Sequence, residues 1–143
     1  HRELASQEVH EIFVRDFVNV QAPLSLLKAS FEAEHEFDGV EYEEDVWAKL
    51  TVSKDGEEKT ISEHGNGRLD AACNALRRYL DENFVVETYT EHALEEKSTS
   101  KAASYVGISK DGKTYWGAGI HTDIMTSSLN ALISAVNKML ADA

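Results

Sequence analysis

The chain has one cysteine, one proline and no apolar run near the length of a membrane span. A single cysteine excludes an internal disulfide framework and any zinc site built on several thiolates. No basic start followed by an apolar middle marks a secretory leader, so the expectation is a soluble cytoplasmic domain. Positive charge is also scarce: 14 Lys and Arg stand against 26 Asp and Glu, a formal net charge of −12. Nucleic-acid binding is chiefly neutralisation of phosphates by Lys and Arg, so this surface repels that partner. An anionic membrane is disfavoured for the same reason.

What is present suffices for a core. At 143 residues and 42% hydrophobic content, the chain fits one domain that needs neither disulfide nor metal to fold. Its organising feature is an internal repeat. Ser53-Lys54-Asp55-Gly56 recurs as Ser109-Lys110-Asp111-Gly112, and Asn74-Ala75-Leu76 recurs as Asn130-Ala131-Leu132, both at an offset of 56 residues. Two matches in one register predict a pseudo-twofold domain.

Residues 4–20 read as a helix, with Val9, Ile12, Phe13, Phe17 and Val20 on one face and Asn19 and Pro23 marking its end. A half-exposed strand follows over 24–33, with Leu27, Ala29, Phe31 and Ala33 on one face. Eight of the fourteen residues from Glu32 to Asp45 are acidic, which reads as a solvated loop. The next strand, Val46 to Ser53, sets Val46, Ala48, Leu50 and Val52 on one face; its repeat partners are Ala102, Ser104, Val106 and Ile108. Each runs into Asp-Gly, a two-residue hairpin signal, and returns over Glu58–His64 or Thr114–Ile120. Gly117 and Gly119 weaken the second returning strand or admit another backbone or a ligand. Helices follow from about Arg68 to Asp81 and from Asp123 or Ile124, the latter capped by Asp123 or Thr122. The expected fold class is α+β: a pseudo-twofold duplicated βββα unit, with repeats at 24–83 and 84–143, preceded by a helix. The exposed sheet faces suit closure by a second subunit.

The junction between returning strand and helix is the place to look for function. In Gly65-Asn66-Gly67 two glycines let a backbone approach a ligand, and the helix start offers N–H donors with partial positive charge. A carboxylate or phosphate fits there; a simple tight turn fits as well. The second copy puts His121-Thr122-Asp123 at that place, and the asymmetry favours a ligand role for one copy. No two histidines have metal-ligand spacing. His92 reads as a surface hydrogen-bonding group or a ligand-orienting one, Cys73 as core packing, and Trp47 and Trp116 as packing residues. Ser127 and Ser128 read as capping or close-packing residues, since no Ser-His-acid arrangement is legible.

These residues bring a resemblance into view. GNGRLDAACNAL, the Glu91-His92-Ala93 segment, and the Trp116-Gly117-Ala118-Gly119 strand running into Ile124-x-x-Ser127-Ser128 closely resemble the C-terminal regulatory domain of the 2-isopropylmalate synthases. The resemblance covers Leu24 to the end, and residues 1–23 look like the end of a linker subdomain. It implies a homodimer of such domains with leucine bound for feedback inhibition. Carried over, the leucine-binding residues are Gly65, Asn66, Gly67, Leu69, Asp70, Val86, Tyr89, Ala93, Ser100 and Ile124. Arg68 stands where the family usually has proline, and supplies a partner for a carboxylate. The family's catalytic barrel of the same chain, with its divalent metal held partly by a His-x-His pair, lies outside these residues. The implied fragment therefore has no catalytic residue, cofactor or metal of its own, and no nucleic-acid or membrane partner.

Other readings stand beside this one. They are the similar isoleucine-sensing domain of citramalate synthase, a dimerisation module without ligand, a double-stranded RNA-binding module that the charge opposes, and a small hydrolase using His64 or His121.

Overall fold

The computed structural model describes residues 6–37, 42–94 and 101–142. The elements run α1 (Ser6–Phe17), β1 (Leu24–Phe37), β2 (Tyr42–Lys54), β3 (Glu57–Gly65), α2 (Arg68–Leu80), β4 (Val85–Ala93), β5 (Ala102–Lys110), β6 (Lys113–His121) and α3 (Ile124–Ala141). The α+β class and the duplicated strand-strand-strand-helix order are both present. Two compact units result: Leu24–Val85, and His1–Pro23 together with Val86–Ala143.

In the first unit β1, β2 and β3 form an antiparallel sheet in that order. The expected inner face of β2 is the buried one, with Val46, Ala48, Leu50 and Val52 all at most 1% exposed. The β2–β3 turn carries positive φ at Asp55 (55°) and Gly56 (79°), the mirror-image geometry that matches strand twist in a two-residue hairpin. Helix α2 covers this sheet with Ala71, Ala72, Cys73, Ala75 and Leu76. Its alanines keep the helix close to the strands.

Two expectations fail here. Leu27 does not share the inner face with Ala29: pairing jumps from Leu26↔Val52 to Lys28↔Thr51, so Leu27 is the extra residue of a β-bulge and is 52% exposed. A bulge shifts the alternation by one, which periodicity alone cannot reveal. The acidic stretch is also less of a loop than expected. Strand β1 runs on to Phe37 and β2 starts at Tyr42, setting Glu34 opposite Asp45 and Glu36 opposite Glu43. Cross-strand backbone pairing outweighs the local preference of these residues; residues 38–41 lie outside the description.

The second unit repeats the plan with β4, β5 and β6 in order. Its hairpin, Asp111 (φ 51°) and Gly112 (φ 80°), copies the first. The glycines of β6 have a backbone reason. A Cβ on Gly117 would fall 2.2 Å from the Ala135 nitrogen, and one on Gly119 would fall 1.9 Å from the Ser127 carbonyl oxygen. Helix α3 thus lies directly on the β6 main chain. It is buried almost all round, with Ser127–Leu129, Ala131–Asn137 and Met139 inside.

Helix α1 ends earlier than its periodicity suggests. It stops at Phe17, and Asn19 takes a left-handed φ of 51°. Val18 then pairs in parallel with Ala118 on the edge of β6. Val20, expected on the helical face, lies beyond the end of the helix.

Candidate functional site

Two corners hold the expected site residues, one in each unit. The first is the β3–α2 junction with Gly65, Asn66, Gly67, Leu69 and Asp70. Gly65 is buried, and a Cβ there would lie 2.4 Å from Asp70 Oδ2 and 2.7 Å from the Ala71 nitrogen. Glycine is therefore required for the helix to start so near the strand end. Asp70 Oδ2 accepts a hydrogen bond from the Asn66 N–H at 2.8 Å, closing the turn. Asn74 Nδ2 donates to the His64 carbonyl at 2.8 Å, and Arg77 donates to Asn74 Oδ1 and to the Phe84 carbonyl. The repeated Asn thus ties helix to strand.

Gly67 is the N-cap of α2 and supplies no side-chain hydrogen bond to the first turn. At the matching place in the other unit, Asp123 caps α3, accepting from the Thr126 N–H at 2.9 Å and the Thr126 hydroxyl at 2.6 Å. A helix start concentrates N–H donors and partial positive charge. In α3 the carboxylate that meets that charge is the cap residue itself; at α2 the cap residue has no side chain, and the carboxylate is Asp70 in the first turn.

Beside the first corner, His64 Nδ1 lies 3.0 Å from Asp45 Oδ1, and its ring stacks on Trp47 with centroids 4.8 Å apart. The hydrogen bond to Asp45, then that residue's charge, raises the His64 pKa above the ordinary 6.5. Trp47 and Trp116, expected as packing residues, are 41% and 46% exposed. Trp47 shelters His64, and Trp116 lies over Gly107, its cross-strand partner.

The second corner is the start of α3 with Ile124, reached from β4 by Tyr89; Val86 and Ala93 lie three residues before and four residues after Tyr89 along the same strand. Tyr89 and Ile124 are 38% and 52% exposed, so this corner presents apolar surface. The Tyr89 hydroxyl has one proton and two acceptors within reach, Glu91 Oε2 at 2.8 Å and Ser128 Oγ. Behind it, Ser104 Oγ lies 2.7 Å from Ser127 Oγ and 3.2 Å from Ser128 Oγ, and both α3 serines donate to the Ile124 carbonyl at 2.9 Å. Partial burial raises the Tyr89 pKa, opposed by the Ser128 hydrogen bond. This buried hydroxyl cluster was not anticipated as a unit. The repeat held its signal: subtracting 56 from Ser104, Ser127 and Ser128 gives Ala48, Ala71 and Ala72, so hydroxyls replace methyl groups in one copy alone.

Ser100 lies outside the described residues. Two cavities, of about 330 and 500 Å³, open elsewhere in the first unit and are lined by none of the expected site residues. Among the described residues no three His, Cys, Asp or Glu gather as a metal site. Burial drives the Cys73 pKa up to about 12, so its thiol is a packing group. His92 rests against the Tyr105 ring at 6.0 Å. No described helix is long and apolar enough to cross a membrane.

Fold and corners together define the class: a duplicated βββα domain with an aspartate cap on one helix start and a glycine cap on the other. The chain belongs to the family described as the LeuA allosteric (dimerisation) domain, which it matches over residues 3–140. It is 42% identical over 144 residues to the 2-isopropylmalate synthase of Desulfitobacterium hafniense (strain Y51), covering 100% of this chain and 24% of that protein. Against the 2-isopropylmalate synthase of Helicobacter hepaticus (strain ATCC 51449 / 3B1) it is 39% identical over 142 residues, 98% of this chain and 25% of that protein. Against that of Mycobacterium leprae (strain TN) it is 35% identical over 138 residues, 96% of this chain and 22% of that protein. The chain spans about a quarter of the length of these curated relatives.

Proposed function

We propose that this domain binds leucine, pairs with a second copy of itself, and signals feedback inhibition within a 2-isopropylmalate synthase. The host would condense acetyl-CoA with 2-oxoisovalerate in a metal-dependent barrel beyond these residues, and this domain would carry no turnover.

The observation that carries the reading is the contrast between the two helix starts. A free amino acid brings a carboxylate, which suits the amide-rich start of α2 where Gly67 offers no cap. Its ammonium suits the carboxylate of Asp70, which closes the Asn66 turn. Within the second unit, Tyr89 and Ile124, 38% and 52% exposed, give apolar surface that suits a branched side chain. Pairing of two copies is supported by the family's description and by large apolar side chains left exposed, among them Trp47, Val85, Trp116 and Ile124.

Calorimetric titration of the chain with leucine, isoleucine and valine tests the ligand. Leucine is expected to bind tightest and to raise Tm by mass action, with stabilisation of about 2.7 kcal/mol at a hundredfold excess over Kd. Absence of both heat and Tm shift at millimolar leucine refutes the reading, and tighter isoleucine binding moves it to the isoleucine sensors. Gly65→Ala, which forces the turn open, is expected to weaken leucine at least about tenfold. Sedimentation velocity at micromolar concentration is expected to give a dimer.

A further inference from the structure

The repeat separates residues that the βββα fold needs from residues that one copy alone has acquired. The edge of β6 and the adjoining side of α3 both hold the segment that follows α1. Asn19 bonds the β6 edge through both its main chain and its side chain. Its N–H donates to the Ala118 carbonyl at 2.9 Å, its Nδ2 donates to the Ile120 carbonyl at 3.2 Å, and its Oδ1 accepts from the Ile120 N–H at 3.0 Å. Val20 is gripped from the helix: its N–H donates to Ser134 Oγ at 2.7 Å, and its carbonyl accepts from Asn137 Nδ2 at 2.9 Å. Ser134 and Asn137 are 0% and 2% exposed. One turn further on, the Lys138 ammonium sits 4.3 Å from the Phe17 ring centroid at the end of α1.

None of this is required by the fold. At the offset of 56, Ser134 corresponds to Arg78 and Asn137 to Asp81, and α2 ends at Leu80 where α3 continues to Ala141. The extra turn of α3 and its two buried polar side chains occur only in the copy that grips the segment after α1. The other end of the same helix carries Ile124 and Ser128: Ser128 Oγ meets the Tyr89 hydroxyl and is itself tied to the Ile124 carbonyl. A packed helix transmits displacement along its axis with little give.

We infer that α3 is a coupling rod: it links the Tyr89–Ile124 corner to α1 through the clamp that Ser134 and Asn137 place on Val20, making Asn19, Ser134 and Asn137 positioning residues for the allosteric signal. The inference rests on the leucine reading above. Occupation of the corner steadies the start of α3, and the clamp closes more firmly on the chain leaving α1. Linkage makes the coupling reciprocal: the factor by which leucine suppresses clamp opening equals the factor by which loss of the clamp weakens leucine.

Residue-resolved amide exchange on the chain, with and without saturating leucine, reads the first factor at Val20. Calorimetry on Asn19→Ala, Ser134→Ala and Asn137→Ala reads the second. Leucine is expected to slow Val20 exchange about tenfold, and the variants are expected to lose affinity by a similar factor while still melting cooperatively. A clamp that only holds α1 in place would leave leucine affinity and leucine-dependent exchange unmoved, and that result overturns the inference while leaving the ligand reading intact. Failure of the unmodified chain to bind leucine overturns both. The exchange measurement needs no substitution, so a variant that fails to fold does not shield the idea.

Discussion

The seating of α3 on bare backbone makes Gly119→Ala a severe substitution despite adding one methyl group. The new Cβ would fall 1.9 Å from the Ser127 carbonyl oxygen and 2.7 Å from the Ala131 nitrogen, both main-chain atoms of a buried helix. Neither can rotate away, so α3 must lift off β6. Overpacking costs about 1–3 kcal/mol and sometimes more; contact with two backbone atoms puts this case at the upper end, about 3 kcal/mol. For a domain near this size that is a Tm loss of roughly 6–12 °C. Two companions calibrate it. Gly107→Ala meets Trp116 at 2.9 Å, but that ring is half-exposed and can swing aside, so the loss should be smaller. Gly67→Ala meets nothing within 4 Å and sits in extended backbone, leaving a cost of about 0.5–1 kcal/mol from its capping position. Thermal and urea melts by circular dichroism should rank them in that order. Equal midpoints for Gly119→Ala and Gly67→Ala would refute the claim that α3 rests on the β6 main chain.

Three further predictions follow from local geometry. Asp123→Ala removes the α3 cap and should cost about 1 kcal/mol, read as a lower urea midpoint; an unchanged midpoint would mean that water serves the Thr126 N–H equally well. His64 should titrate above the ordinary imidazole value, because its hydrogen bond to Asp45 favours the protonated ring. Its contribution to stability is then complete below about pH 6.5 and is lost as pH rises through the raised folded value. Asp45→Asn should bring the His64 NMR titration back toward 6.5, and a midpoint that stays put would exclude Asp45 as the cause. Cys73, buried and with its pKa driven up to about 12, should resist alkylation at pH 8 in the native chain and react promptly in urea. Fast native labelling would contradict its burial.

Much of the architecture was legible because it rests on short-range chemistry. Asp55-Gly56 and Asp111-Gly112 specify their turns through positive φ, and the alternation in β2 specifies which face is buried. Asp123 announces the start of α3 through its carboxylate. The duplication itself needed only the offset of 56, and the family motif named the β3–α2 corner. Long-range contacts set the remainder. The sequence could not say that Leu27 is a bulge, since only the partner strand shows which residue lacks a mate. Gly117 and Gly119 read as weakness or as room for a neighbour, and only packing shows that the neighbour is α3. Three serines scattered over 104–128 become one cluster with Tyr89 because β5 and α3 are adjacent. Val20 has helical spacing from Phe17, yet Ser134 and Asn137, more than a hundred residues away, pull it out of the helix. Turns, faces and caps are decided by neighbours a few residues apart, so the sequence alone determined them; the clamp on α1 and the hydroxyl cluster depend on which surfaces meet, which only the folded chain decides.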